Sequence, residues 1–236
     1  MKKITLLCLL AAAVGANAAI LYQQAPHTPG AAGGNGLSGF FGVLAGAPAD
    51  IYDRQIADDF TVTGPGWNIT KITTSWVQFT PGDTNPVTAM NYAVYNTTGS
   101  GVGSLVTSGS AGSFTRSNGP GTYFTRPEQL MAMDVNINLA PGDYFLMVQL
   151  VVDHNWFWIT SSPTTTNAQS SHLRRGPGAV NTDATWPTAW TSTESAVFNA
   201  RFDQSMTIEG TVVPEPGTIA VIGLGLAALA ARRRRK

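Results

Sequence analysis

The chain has 236 residues, with fourteen basic and fourteen acidic side chains and a formal net charge of zero. Charged residues make up only 12%, about half the usual share, while Gly, Thr, Ser and Asn are abundant. The balanced charge hides an uneven distribution. Lys2, Lys3, Arg232, Arg233, Arg234, Arg235 and Lys236 crowd the two ends, so the stretch between them is acidic and argues against nucleic acid as a partner.

The first residues, MKKITLLCLLAAAVGANA, have the three parts of a secretory signal: a basic start, an apolar stretch over residues 4–14, and a small-residue Ala16-Asn17-Ala18 cleavage site. The apolar part is too short to span about 30 Å of hydrocarbon. Cleavage by signal peptidase is expected after Ala18. Cys8, the only cysteine, lies inside the apolar stretch, whereas a lipoprotein would carry it just beyond. The mature chain therefore has no disulfide and no thiolate, and its fold must hold by burial alone.

From residue 19 to 212 the apolar pattern has a period of two. Residues 69–79, ITKITTSWVQF, read as a strand closed by a Pro81-Gly82-Asp83 turn. The next segment, TAMNYAVY, puts Met90, Tyr92 and Val94 on one face and Ala89, Asn91, Ala93 and Tyr95 on the other. VNINL turns Val135, Ile137 and Leu139 inward, with Asn136 and Asn138 outward. After a turn at 140–143, residues 144–152 are apolar on both faces, which predicts a central strand. NWFWIT, SAVFNARF and SMTIEGTV follow, the last alternating Met206, Ile208 and Val212 with polar neighbours. Two stretches, 96–121 and 161–187, lack periodicity and read as long loops or irregular edge hairpins. The pattern predicts an all-β fold, an antiparallel β-sandwich of jelly-roll type.

Chemistry-bearing residues are sparse. Asp50, Asp53, Asp58 and Asp59 cluster in DIYDRQIADDF. Such a loop could offer carboxylates to calcium, though without EF-hand spacing; the plainer alternative is a solvated turn before the next strand. No other metal site and no cofactor is expected. His27, His154 and His172 show no zinc-type pairing, and no GxSxG nucleophile elbow occurs. A non-enzymatic protein is expected, with a secreted hydrolase as the weaker alternative. Trp156 and Trp158, two apart, share a face of any strand, and Trp186 follows in a later loop. Exposed, these rings could stack on sugars; buried, they would fill the core of a cysteine-free sandwich. The Asn-X-Thr sequons at Asn68 and Asn96 predict surface loops.

The last residues are VPEPGTIAVIGLGLAALAARRRRK. Pro214-Glu215-Pro216, an apolar run over 218–231, and the basic cluster Arg232, Arg233, Arg234, Arg235 and Lys236 together resemble the PEP-CTERM sorting signal of Gram-negative bacteria. The run is about 21 Å long as a helix, short of a comfortable span. The basic cluster suits the cytoplasmic side. The resemblance implies recognition of Pro214, Glu215 and Pro216 by an exosortase, a membrane protease, followed by removal of the tail. It also implies transient anchoring in the inner membrane, then release to the cell surface or outside, among exopolysaccharide or biofilm material. A permanent tail anchor is the alternative.

The chain thus divides into a signal peptide with its helix (1–18), a sandwich domain (19–212), and a sorting signal with a short apolar helix (213–236). Signal peptidase and exosortase are the expected processing partners, and extracellular polysaccharide the expected surroundings. A carbohydrate-binding module is the alternative function.

Overall fold

The computed structural model describes residues 18–26, 54–78, 87–99, 101–111, 113–123, 125–151, 156–161, 172–175, 187–192, 203–214 and 233. Through these residues run strands β1 (Ala19–Gln24), β2 (Arg54–Val62), β3 (Trp67–Gln78), β4 (Ala89–Thr98), β5 (Gly101–Ala111), β6 (Thr115–Tyr123) and β7 (Arg126–Leu139). They are followed by β8 (Gly142–Val151), β9 (Trp156–Trp158), β10 (Thr160–Ser161), β11 (His172–Arg175), β12 (Thr191–Ser192), β13 (Asp203–Gln204) and β14 (Met206–Val212). One sheet has the order β1-β14-β3-β7-β6, with β9 also on β3; the other runs β12-β11-β2-β8-β4-β5; β10 and β13 form a short separate pair. Every pairing is antiparallel. The helices expected at the two ends fall outside the described residues, apart from Arg233.

The core lies between the two six-stranded sheets. Phe60, Met90, Leu146 and Val148 of one sheet meet Trp67, Ile72, Met133 and Ile208 of the other. The Phe60 and Trp67 rings stack across the gap with centroids 6.3 Å apart. Each such side chain, fully buried, contributes about 1.5–3 kcal/mol, and with no cysteine in the described strands this burial is what holds the sheets together.

Local irregularities keep the alternation in phase with the core. In β3, Trp67 and Ile69 are buried and so are Ile72, Thr74 and Trp76, a change of parity that a regular strand cannot make. The register with β7 shifts between Ile69 and Lys71, and that with β14 between Glu209 and Gly210. This bulge absorbs the extra residue and turns both halves of β3 inward. Beside it Gly210 is obligatory, because a Cβ there would collide with the carbonyl oxygen of Asn68.

Residues 144–151 lie in β8, between β2 and β4, as a strand apolar on both faces requires. Met90 and Val94 point to the core while Ala93 and Tyr95 pack on the opposite face of their sheet with Phe145 and Met147. Ile137 and Leu139 are buried, with Asn136 and Asn138 exposed. Val212 departs from expectation: it is 51% exposed, because β1 begins at Ala19, opposite Gly210, and leaves no described strand beside Val212 on that side of β14. The stretch 96–121 is also more regular than its composition suggests. It holds β5 and β6, each the outermost strand of its sheet, and β4 and β5 form an edge hairpin. Within 161–187, β11 pairs with β2.

Candidate functional site

β14 lies between β1 and β3 and leads straight into the tail. The last tie is the Val213 N–H, which donates to the Gly66 carbonyl at 2.9 Å. Gly66 closes the turn between β2 and β3 with φ +119°, and a Cβ there would meet the Leu139 carbonyl oxygen at 2.6 Å. This turn therefore needs glycine for the backbone angle and for space. Pro214 follows, exposed. It has no N–H to donate, so the ladder ends at its start. Glu215, Pro216 and the basic residues Arg232, Arg234 and Arg235 lie outside the described residues, while Arg233 is exposed.

The tryptophans at 156 and 158 do share one face of β9, and that face is the core. Each is 1% exposed. The Trp158 ring stacks on Trp76 with centroids 5.4 Å apart, and its Nε1–H donates to the Ser205 carbonyl at 2.7 Å. The Arg116 guanidinium covers the Trp156 ring at 5.1 Å. So placed, neither indole offers a face to a sugar. Trp186 lies outside the described residues. Among the described tryptophans only Trp190 is not buried.

Asp58 and Asp59 sit within β2 rather than in a solvated turn, and both are buried. As consecutive strand residues they point to opposite faces of the sheet, so their carboxylates do not converge on one ion. Asp58 Oδ2 accepts the Gln204 N–H at 2.6 Å. The Gln24 amide, oriented by the surrounding network, donates to the same oxygen at 3.1 Å. Asp58 thereby ties β2 to β13 and β1. Asp50 and Asp53 lie outside the described residues. Among the described residues no group of three or more His, Cys, Asp or Glu is placed to hold a metal. His172 is buried, its ring edge-on to Phe145 at 5.0 Å; His27 and His154 lie outside the described residues.

Sequence reasoning missed the outer face of the sheet containing β8. A shallow depression of about 470 Å³ opens there over Ala93 and Met147. Its polar lining comes from Gln55, Asn91, Gln149, Ser108 and Ser110, with Tyr95 at one side. Beside it the Arg174 guanidinium lies 4.4 Å over the Trp190 ring and donates to Gln55 Oε1 at 2.9 Å and to the Tyr95 hydroxyl at 3.2 Å. Burial raises the Tyr95 pKa, against the opposing pull of Arg174. That Asn91 and Tyr95 share a face was visible in the β4 pattern, but the strands beside it were not.

A second buried polar pair lies on β6 and β7. The Glu128 carboxylate is 1% exposed and accepts the Gly121 N–H at 2.9 Å. Burial, and then the neighbouring Glu128 charge, push the Tyr123 hydroxyl up to about 12.

The structure defines a two-sheet antiparallel protein whose last core strand runs directly into a C-terminal signal. That signal is a PEP-CTERM protein-sorting motif: its family model matches residues 212–235, starting on the final residue of β14. The motif implies an exported, cell-surface-directed protein sorted by an exosortase. No curated protein and no solved structure matches the chain. Among the described residues no helix is long and apolar enough to cross a membrane; the apolar run at 218–231 lies outside them.

Proposed function

We propose that this is a non-enzymatic protein of the cell surface or extracellular matrix. In this reading signal peptidase removes residues 1–18, the tail holds the chain briefly in the inner membrane, and the exosortase cuts near Pro214-Glu215-Pro216. The mature two-sheet domain, taken as a jelly-roll-type module, then resides among exopolysaccharide in a biofilm. The observation that carries the reading is the position of the motif, which begins on Val212, the final residue of the last strand, so that Pro214-Glu215-Pro216 lie beyond the sheet. Cutting there takes nothing from either sheet. Deleting the exosortase tests it: a full-length chain retained in the membrane fraction supports the reading, and mature protein of unchanged mass contradicts it.

A carbohydrate-binding role is the second reading, and the outer-face depression favours it. Its amides and hydroxyls are neutral groups that both donate and accept, and sugar hydroxyls require that pairing. Its apolar floor could receive the CH face of a pyranose. Asn91→Ala should abolish glycan-array binding without changing the melting curve; unchanged binding would remove the reading.

A further inference from the structure

The first and last described strands of the domain are neighbours. Ala19 of β1 stands opposite Gly210 of β14, and the strands run antiparallel. The start of one and the end of the other therefore leave the sheet on the same side. Val213 lies three positions beyond Gly210, so the two exits lie about 11 Å apart at ordinary strand spacings.

Resting on the sorting reading above, both tethers are short. Five residues, 213–217, separate β14's end from the apolar run, and four, 15–18, separate the signal's apolar stretch from β1. Fully extended, these reach about 18 Å and about 14 Å at most. The headgroup layer alone occupies about 5–7 Å per leaflet. The corner of the sandwich where the exits lie is thus confined to the lipid–water boundary for as long as the tail is embedded.

The surface at that corner suits the place. The turn at 63–66 flanks the exit, with Gly64 beside the Val212 side chain, and the turns at Gly99 and at 140–142 lie at the same end of the sheets. Residues 19–20, 63–66, 99, 140–142 and 212–214 include no charged side chain, although the chain between its basic ends is acidic. Two carboxylates border it: Glu209, directly opposite Ile20 and level with Lys71 on β3, and Asp143, which accepts the Thr61 hydroxyl at 2.7 Å. Ile20 and Val212, 59% and 51% exposed, sit on the two strand ends themselves. Exposed aliphatics at such a corner can enter an interface, and Lys71, level with Glu209 on β3, offsets the repulsion of that carboxylate by anionic lipid.

We infer that this corner is a membrane-contact surface: until the exosortase cuts, the domain stands on the bilayer on the paired ends of β1 and β14.

The test uses the tail-bearing chain from an exosortase-deletion strain, which has no cysteine after signal cleavage. Single substitutions Thr63→Cys and Ala140→Cys at the corner, and Thr88→Cys and Asn118→Cys at the far end, carry an environment-sensitive fluorophore. The chain is reconstituted in phosphatidylethanolamine/phosphatidylglycerol vesicles containing headgroup-quencher lipid. The inference predicts co-sedimentation with vesicles and several-fold stronger quenching at 63 and 140 than at 88 and 118. Co-sedimentation with equal quenching at both ends overturns the inference and leaves the sorting reading standing. Quenching at the corner only after exosortase is added assigns the contact to that protein instead. Failure to co-sediment overturns both.

Discussion

The Val213 N–H is bound to the Gly66 carbonyl at 2.9 Å, and the next residue, Pro214, has no N–H to give. The folded domain and the Pro214-Glu215-Pro216 segment therefore meet at a single peptide bond. The protease is offered a segment whose loss breaks none of the described backbone hydrogen bonds.

A chain ending at Val213 should accordingly melt within a degree or two of one ending at Pro216. A chain ending at Ser205 loses all of β14 and its pairing with both β1 and β3, and should not fold. Thermal denaturation of purified chains starting at Ala19 distinguishes the two.

Gly210→Ala should destabilise the domain by about 1–3 kcal/mol, the usual range for forcing atoms into a packed site. The added methyl meets the Asn68 carbonyl, which the β3 bulge holds in place. Urea unfolding should show a lower midpoint with an unchanged slope.

Trp158→Ala should cost about 3–5 kcal/mol by removing a fully buried aromatic. Trp158→Phe keeps most of the stacking on Trp76 but leaves the Ser205 carbonyl without its donor, at about 1–3 kcal/mol. Losses confined to stability, with any glycan binding retained in the folded fraction, are the expected result in equilibrium unfolding.

Asp58→Ala should be similarly harmful, because it strands the buried Gln204 N–H, at about 1–3 kcal/mol. Asp58→Asn retains one acceptor and should recover part of that loss. Chemical denaturation of the two variants side by side checks the order.

Tyr123 makes stability depend on alkaline pH. Its folded value, about 12, lies above the ordinary 10.0, so the unfolded chain loses its proton first. The contribution is whole below pH 10 and is lost as pH rises toward 12, with a slope of at most about 1.4 kcal/mol per pH unit. Tyr123→Phe should flatten the stability profile between those values relative to wild type.

Strands with one buried face were legible because core contact imposes a period of two, as Met90 and Val94 or Ile137 and Leu139 show. β8 was legible as central for the opposite reason, being apolar on both faces. β5 left no such trace: its Leu105 and Val106 are 55% and 46% exposed, and an outermost strand of Gly, Ser and Thr writes no alternation. Asp58 was misplaced because an aspartate inside a core strand is tolerable only through donors, Gln204 and Gln24, that are remote in sequence. The parity of Trp156 and Trp158 was correct, but parity alone does not say which face is buried. The outer-face depression needed neighbours from β2, β4, β5 and β8, and no single segment announces that assembly. The sorting motif, contiguous and terminal, was readable in full.

The most direct measurement is the intact mass of the native extracellular form. The account predicts a chain beginning at Ala19 and ending within residues 213–216, with any attached group visible as added mass. An extracellular chain that still carries Arg232–Lys236 would contradict it.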